Sequence, residues 1–257
     1  MSDAALTLAK PQGEGAEIAR LQRELALARA ELQDFTYSVS HDLRASLRHV
    51  SAYAQIIQED LGAQLTPDIA AHLATVQQAA KQMARQIEGL AELSRLTRLE
   101  LQLTRLDLGQ LLRGALAELV STTAGRALHW QLAPDIPALQ GDAVLIRQAL
   151  AHLLSNALKF TAQRAVAEIE LSWQAHGSGQ CALTVSDNGA GFNPQYQDKL
   201  FHAFGRLHGA REFEGLGMGL ALTRKIVERH GGAVWAQGTP DAGCRVTFTL
   251  PLAEAAT

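Results

Sequence analysis

Two apolar seams, each advancing in steps of three and four residues, constrain this chain more than any other feature. The first runs through Ile18, Leu21, Leu25, Ala28, Leu32, Phe35 and Val39 and resumes past His41 at Leu43, Leu47, Val50, Ala54, Ile57 and Leu61. The second is Ile69, Leu73, Val76, Ala80, Met83, Ile87 and Leu90. This spacing is the seam of a coiled coil. It predicts one helix over 16–61 and another over 68–99. Gly62 stops the first, and Thr66-Pro67 supplies the cap and first position of the second. So short a connection makes the pair an antiparallel hairpin. Two helices alone bury little core, so the expectation is a homodimer in which two hairpins form a four-helix bundle. Packing within one chain is the bland alternative. Val39, Leu43 and Leu47 are consecutive steps of four, a stutter that locally unwinds the supercoil beside His41.

After residue 100 the helical period ends and a second domain is expected over 105–252, with a flexible start over 1–15, the hairpin over 16–100 and a tail over 253–257. Residues 108–120 read as an amphipathic helix and 127–132 as a strand. Asp142 is placed to cap a helix that runs to Phe160. Strands are expected over 166–173 and 181–186 around a Gly177-Ser178-Gly179 turn, then a helix over 219–229 and strands over 233–237 and 245–250. The fold class is therefore α plus α/β: a helical hairpin followed by a two-layer sandwich with an antiparallel-looking sheet. At 257 residues each part has room for a core. The net charge of -3 gives no case for nucleic acid or an anionic membrane as partner. No apolar run is long enough to span a bilayer, and the N-terminus has no secretory pattern. The two cysteines, Cys181 and Cys244, sit in strand-like settings and read as buried thiols of a reducing, cytoplasmic compartment.

Four stretches carry chemistry. Ser40-His41-Asp42-Leu43-Arg44 sets an imidazole beside a carboxylate on the first helix. Asn156 and Lys159 share a helix face, an amide oxygen for a hard cation and an ammonium for phosphate, although a polar surface stripe looks the same. Asp187-Asn188-Gly189-Ala190-Gly191 follows a strand, where a carboxylate accepts an amine hydrogen and glycines admit a ligand closely; a plain turn is the simpler reading. Gly215-Leu216-Gly217-Met218-Gly219 opens a helix whose free amides form an anion site. It is not a dinucleotide fingerprint, because Leu222 stands where a third glycine belongs, and no P-loop occurs.

Singly these are weak; in this order they resemble the sensor histidine kinases of two-component signalling. Within that family the kinase modules of bacterial phytochromes are similar through Ser40–Arg44, Leu200–His208 and Arg229-His230-Gly231-Gly232. The resemblance implies that His41 takes the γ-phosphoryl group of ATP, with Asp42 on its other ring nitrogen. It implies a Bergerat-type domain with ATP and Mg²⁺ as cofactors. Asn156 would coordinate the metal, Lys159 reach phosphate and Phe160 pack on the nucleotide. Asp187 would bind the adenine amine, with Gly189 and Gly191 keeping that wall open. Phe201 and Phe204 would anchor a lid, Arg206 neutralise phosphate charge, and Gly215, Gly217 and Gly219 hinge the lid. The implied partner is the receiver domain of a response regulator, whose aspartate takes the phosphoryl group.

Three positions depart from the family pattern. Ser46 replaces the usual proline after the histidine, and Ala45 replaces a polar residue that positions hydrolytic water on the partner, which predicts weak phosphatase activity. His152 stands one turn before Asn156 where relatives carry Asn or Glu, which argues against free ATP hydrolysis. A phosphotransfer or dimerisation scaffold and a chaperone- or topoisomerase-type ATPase are the competing readings. No sensor domain is legible ahead of the hairpin, so input is expected from a separate sensor protein, or the chain is an excised module.

Overall fold

The computed structural model describes residues 12–119, 123, 125–177, 179–209 and 212–253. The expected flexible start lies outside these residues up to position 11, while 12–15 already belong to the first helix. Ser178 of the expected turn and the tail beyond 253 also lie outside. The chain divides into two compact units, Met1–Ala80 and Lys81–Thr257.

The first unit holds α1 (Gln12–Leu61) and the start of α2 (Pro67–Leu96), joined by a 3-10 turn over Gly62–Gln64. Thr66 caps α2, its Oγ1 accepting the Ile69 amide at 3.3 Å. α2 stops at Leu96, three residues earlier than its period suggested, where Thr97 and Arg98 turn back onto the carbonyls of Ser94 and Arg95. α1 is a single α-helix through the stutter. Ser46, standing where a proline would interrupt the ladder, keeps its amide and donates its hydroxyl to the Asp42 carbonyl at 3.1 Å. The seams remain open to solvent: Leu25 is 50 %, Phe35 66 % and Val76 44 % exposed.

In the second unit the elements run β1 (Leu103–Leu106), α3 (Leu108–Leu119), β2 (Leu128–Leu132), β3 (Leu139–Asp142), α4 (Ala143–Phe160), β4 (Ala167–His176), β5 (Gln180–Asp187), α5 (Gly219–Arg229), β6 (Val234–Thr239) and β7 (Gly243–Pro251). The main sheet has the order β2-β4-β5-β7-β6. It is mixed and not antiparallel throughout: β2 lies parallel to β4, because the chain crosses over through β3 and α4 between them. A separate antiparallel pair, β1 with β3, was not legible, since four-residue strands carry almost no period. One face of the sheet is apolar (Ile169, Leu171, Leu183, Val185, Phe248, Leu250) and packs on Leu150, Leu154, Leu222 and Ile226 of the helical layer. Cys181 is buried in this core; Cys244 is only partly buried, a correction to the expected pair of buried thiols.

Asp142 fixes the start of α4. One carboxylate oxygen accepts the Val144 and Leu145 amides, and the other accepts the Gln102 amide at 3.0 Å. Its own amide donates to Nε2 of the buried His230, whose Nδ1–H is then free for the Ile226 carbonyl at 2.7 Å. The Arg229-His230-Gly231-Gly232 stretch is therefore structural: it locks α5 to α4, and Arg229 also reaches the Leu96 carbonyl at the end of α2.

Candidate functional site

His41 projects from α1 with its side chain 63 % exposed. Its Nδ1 stands 3.2 Å from Oδ1 of Asp42. With Nδ1–H donating to that carboxylate, the lone pair of the neutral ring lies on Nε2. Ser40 next to it is buried and turns inward, so the helix phase presents the imidazole outward. Ala45, one turn on, offers no polar atom.

The remaining candidate residues converge in the second unit, around the outer face and C-terminus of α4. Lys159 donates to the Asn156 amide oxygen at 3.1 Å, and its Nζ lies 4.4 Å from the Phe160 ring centre. Burial lowers its pKa, and the nearby Arg206 charge adds to that, against Glu214. The glycine loop abuts this amine: a Cβ on Gly215 would stand 3.3 Å from Lys159 Nζ. The same loop passes His152 at Gly219, and the first turn of α5 has no side-chain cap, so its amides are available to an anion. His152 is largely buried, which lowers its pKa despite Glu92, and its Nε2 has no hydrogen-bond partner among the described residues.

Beside the C-terminus of α4, where the Ala190 amide donates to the Phe160 carbonyl at 3.1 Å, Asp187 closes β5. Its Oδ1 accepts the Gly189 amide at 2.8 Å. Burial raises its pKa to about 6, opposed by the Gly189 and Cys244 amides and by the charge of Arg164. Gly191 adopts φ 61° and lies so near the β6–β7 turn that a Cβ would fall 1.9 Å from the Thr239 carbonyl oxygen. Burial and the Asp187 charge push the Cys244 thiol up to about 12, which keeps it in the thiol form at neutral pH.

The segment between β5 and α5 differs from expectation in two respects. Arg206 is not free: it donates to the carbonyls of Gly215 and Phe213, each at 2.8 Å, and so braces the lid. Phe201 packs against the core, but Phe204 is 37 % exposed with φ 63°, a turn residue and not an anchor. The anchoring is done by residues the sequence did not single out. Phe213 is buried and meets the Phe160 ring edge-on at 5.1 Å, and His208 completes the trio at 5.3 Å from Phe160. His208 also bonds the Gly191 carbonyl through Nε2 at 2.8 Å. Arg164, equally unforeseen, donates to the carbonyls of Asn188, Gly189 and Asp241. Only the period of isolated aromatic and basic residues was visible beforehand, and that carries no contact information.

Two families match this arrangement. Residues 31–99 match the one described as His Kinase A (phospho-acceptor) domain, and residues 141–254 the one described as Histidine kinase-, DNA gyrase B-, and HSP90-like ATPase. The chain belongs to the sensor histidine kinases, with a phospho-acceptor hairpin followed by an ATPase-type domain. It is similar to the methanogenesis regulatory histidine kinase FilI of Methanothrix harundinacea, 32 % identical over 89 % of this chain and 25 % of that protein. The phytochrome-like protein Cph1 of Synechocystis is 29 % identical over 92 % of this chain and 31 % of that protein. Among solved structures, full-length ShkA in complex with AMPPNP has a TM-score of 0.63 at 27 % identity, covering 87 % of this chain and 47 % of that one. The chain thus spans a quarter to a third of the length of these curated relatives. Among the described residues, no helix is long and apolar enough to cross a membrane.

Proposed function

We propose that this chain is an ATP-dependent protein-histidine kinase that phosphorylates His41 and passes the phosphoryl group to an aspartate on the receiver domain of a response regulator. The observation that carries this reading is the gathering, around the C-terminal turns of α4, of Asn156, Lys159 and the Gly215–Gly219 loop, with Phe160 and the loop after Asp187 beside them. That donor set fits a Mg²⁺-nucleotide. Asn156 would hold the metal through its amide oxygen. Lys159 and the α5 amides would take phosphate oxygens, Phe160 would face the base, and Asp187 would accept its amine hydrogen. Lys159 and Arg206 must exchange their present partners for phosphate, and the lid rearranges with them. The bound metal supplies charge neutralisation at the transferring phosphate.

In the transfer, the Nε2–P bond forms as the bond from the γ-phosphorus to the ADP oxygen breaks. The positive charge that develops on the ring is matched by Asp42 at Nδ1. The exposed seams of α1 and α2 support a homodimer built on the hairpin. ATP labelled in the γ-position, with Mg²⁺, is expected to leave an acid-labile, alkali-stable label on the wild type and none on His41→Gln. Label that persists in the variant refutes the nucleophile, and a wild type with neither label nor nucleotide binding is a scaffold.

A further inference from the structure

The turn between α4 and β4 carries Arg164, a half-buried guanidinium that makes no ion pair among the described residues and is directed wholly at backbone. Its Nε donates to the Asn188 carbonyl at 2.7 Å, and its Nη2 donates to the carbonyls of Gly189 at 3.0 Å and Asp241 at 2.7 Å. These acceptors belong to two separate segments. Asn188 and Gly189 follow Asp187 directly, and Asp241 is the tip of the β6–β7 turn, held at φ 59°. The two segments are already in contact: the Asp241 amide donates to the Ala190 carbonyl at 2.8 Å, and Cβ atoms on Gly191 or Gly243 would each fall 1.9 Å from a backbone oxygen of the opposing segment. Three carbonyls pointing at one place repel one another unless a cation gathers them. A planar fork does so with fixed angles, and an ammonium does not.

We propose that Arg164 is a positioning residue for base recognition: by tying the loop after Asp187 to the β6–β7 turn, it holds the Asp187 carboxylate where it accepts the exocyclic amine of an adenine nucleotide. The inference rests on the assignment of Asp187 to the adenine amine. The loop has supports independent of Arg164: the Asn188 side chain bonds the Glu168 amide and the Val166 carbonyl, the Ala190 amide donates to the Phe160 carbonyl at 3.1 Å, and His208 bonds the Gly191 carbonyl. Loss of the guanidinium therefore leaves the loop tethered at Asn188 and Ala190 but strips the donor from the Asn188, Gly189 and Asp241 carbonyls, so the backbone beside the carboxylate loosens without the loop unfolding. The Arg164 charge also opposes the burial that raises the Asp187 pKa, so its removal moves the acid further toward the protonated form.

The test compares the affinities of the full chain for ATP and for inosine triphosphate, which carries a carbonyl oxygen in place of the amine and a proton on N1, and shares the sugar and triphosphate. The wild type is expected to prefer ATP by about 10-fold or more, as a site that hydrogen-bonds a substrate group discriminates against its loss. Arg164→Met is expected to lose most of that preference through weaker ATP binding, with inosine triphosphate bound as before and the autophosphorylation rate at saturating ATP within about 2-fold, a KM effect without a kcat effect. Arg164→Lys, which keeps the charge and loses the fork, should fall between, and it carries the test if the methionine variant does not fold. An unchanged preference in both variants, or equal losses for both nucleotides, overturns the positioning role. A wild type without preference overturns the assignment of Asp187 itself, a result distinguishable from either.

Discussion

Acidification should weaken recognition of the adenine base in a way that can be calculated from one group. Asp187 has a pKa raised to about 6 by burial. A carboxyl with that value is about 90 % ionised at pH 7, about half at pH 6 and about 10 % at pH 5. If the ionised form is what accepts the amine, the ratio of ATP to inosine triphosphate affinity falls nearly tenfold between pH 7 and pH 5, or about 1.4 kcal/mol. Taking the ratio removes the titration of the phosphates and of the metal, which the two nucleotides share. Calorimetric or fluorescence titration at half-unit pH steps measures it, with Asp187→Asn as a flat control. A ratio that is constant from pH 7 to 5, or that turns only near pH 4, refutes both the burial argument and the role of the carboxylate. Stability without nucleotide must move the other way. An acid whose folded pKa lies above its unfolded value of 3.8 contributes stability that is complete below that value and lost as pH rises through about 6. The size is at most about 3 kcal/mol before solvent screening.

The other predictions are structural or kinetic. Gly191→Ala places a side chain at positive φ and against the Thr239 carbonyl, and should cost more than about 2 kcal/mol in denaturant unfolding while weakening ATP binding. Asp142→Ala removes the α4 cap and the acceptor of the Gln102 amide, a loss of about 1–2 kcal/mol seen as a lower melting temperature, with the label at His41 still forming. Ala45→Thr should raise the rate at which a phosphorylated response regulator is dephosphorylated, because it adds the hydroxyl this helix lacks; equal, robust rates in both proteins contradict the weak-phosphatase reading. Gly89→Leu sets a side chain into Met218, whose Cγ already lies 2.9 Å from the position of a Cβ, and should cost about 1–3 kcal/mol.

The elements with a long period were legible in advance. α1, α2 and α4 were read within a few residues of where they stand, because the seam repeats many times and Asp142 and Thr66 are unambiguous caps. β1 and β3 were missed because a pairing of four residues is decided by the partner strand and not by local pattern. The parallel register of β2 on β4 was hidden for the same reason: Leu128–Leu132 alternates identically in either direction. In the candidate site, residues with a short local signature, Asn156, Asp187 and the glycines, could be singled out from the sequence. His208, Phe213 and Arg164 could not, since each acts through backbone or ring contacts with segments more than fifteen residues away or set by the lid conformation. Arg206 was singled out for phosphate, but its present carbonyl partners were not legible, because a guanidinium serves a carbonyl as readily as a phosphate and only the fold says which is near.

The missing side chain at Gly89 has a mechanical consequence. α2 is one uninterrupted helix, begun in the first compact unit and finished in the second. There Met218, the residue between the last two glycines of the loop, rests on bare backbone. Neighbouring positions on a helix are 100° apart, so a rotation of that size brings Glu88 or Leu90 to face Met218 in place of Gly89. The flat spot makes this packing specific to one angle: any side chain turned to that point would press on Met218 and, through it, on the glycine loop.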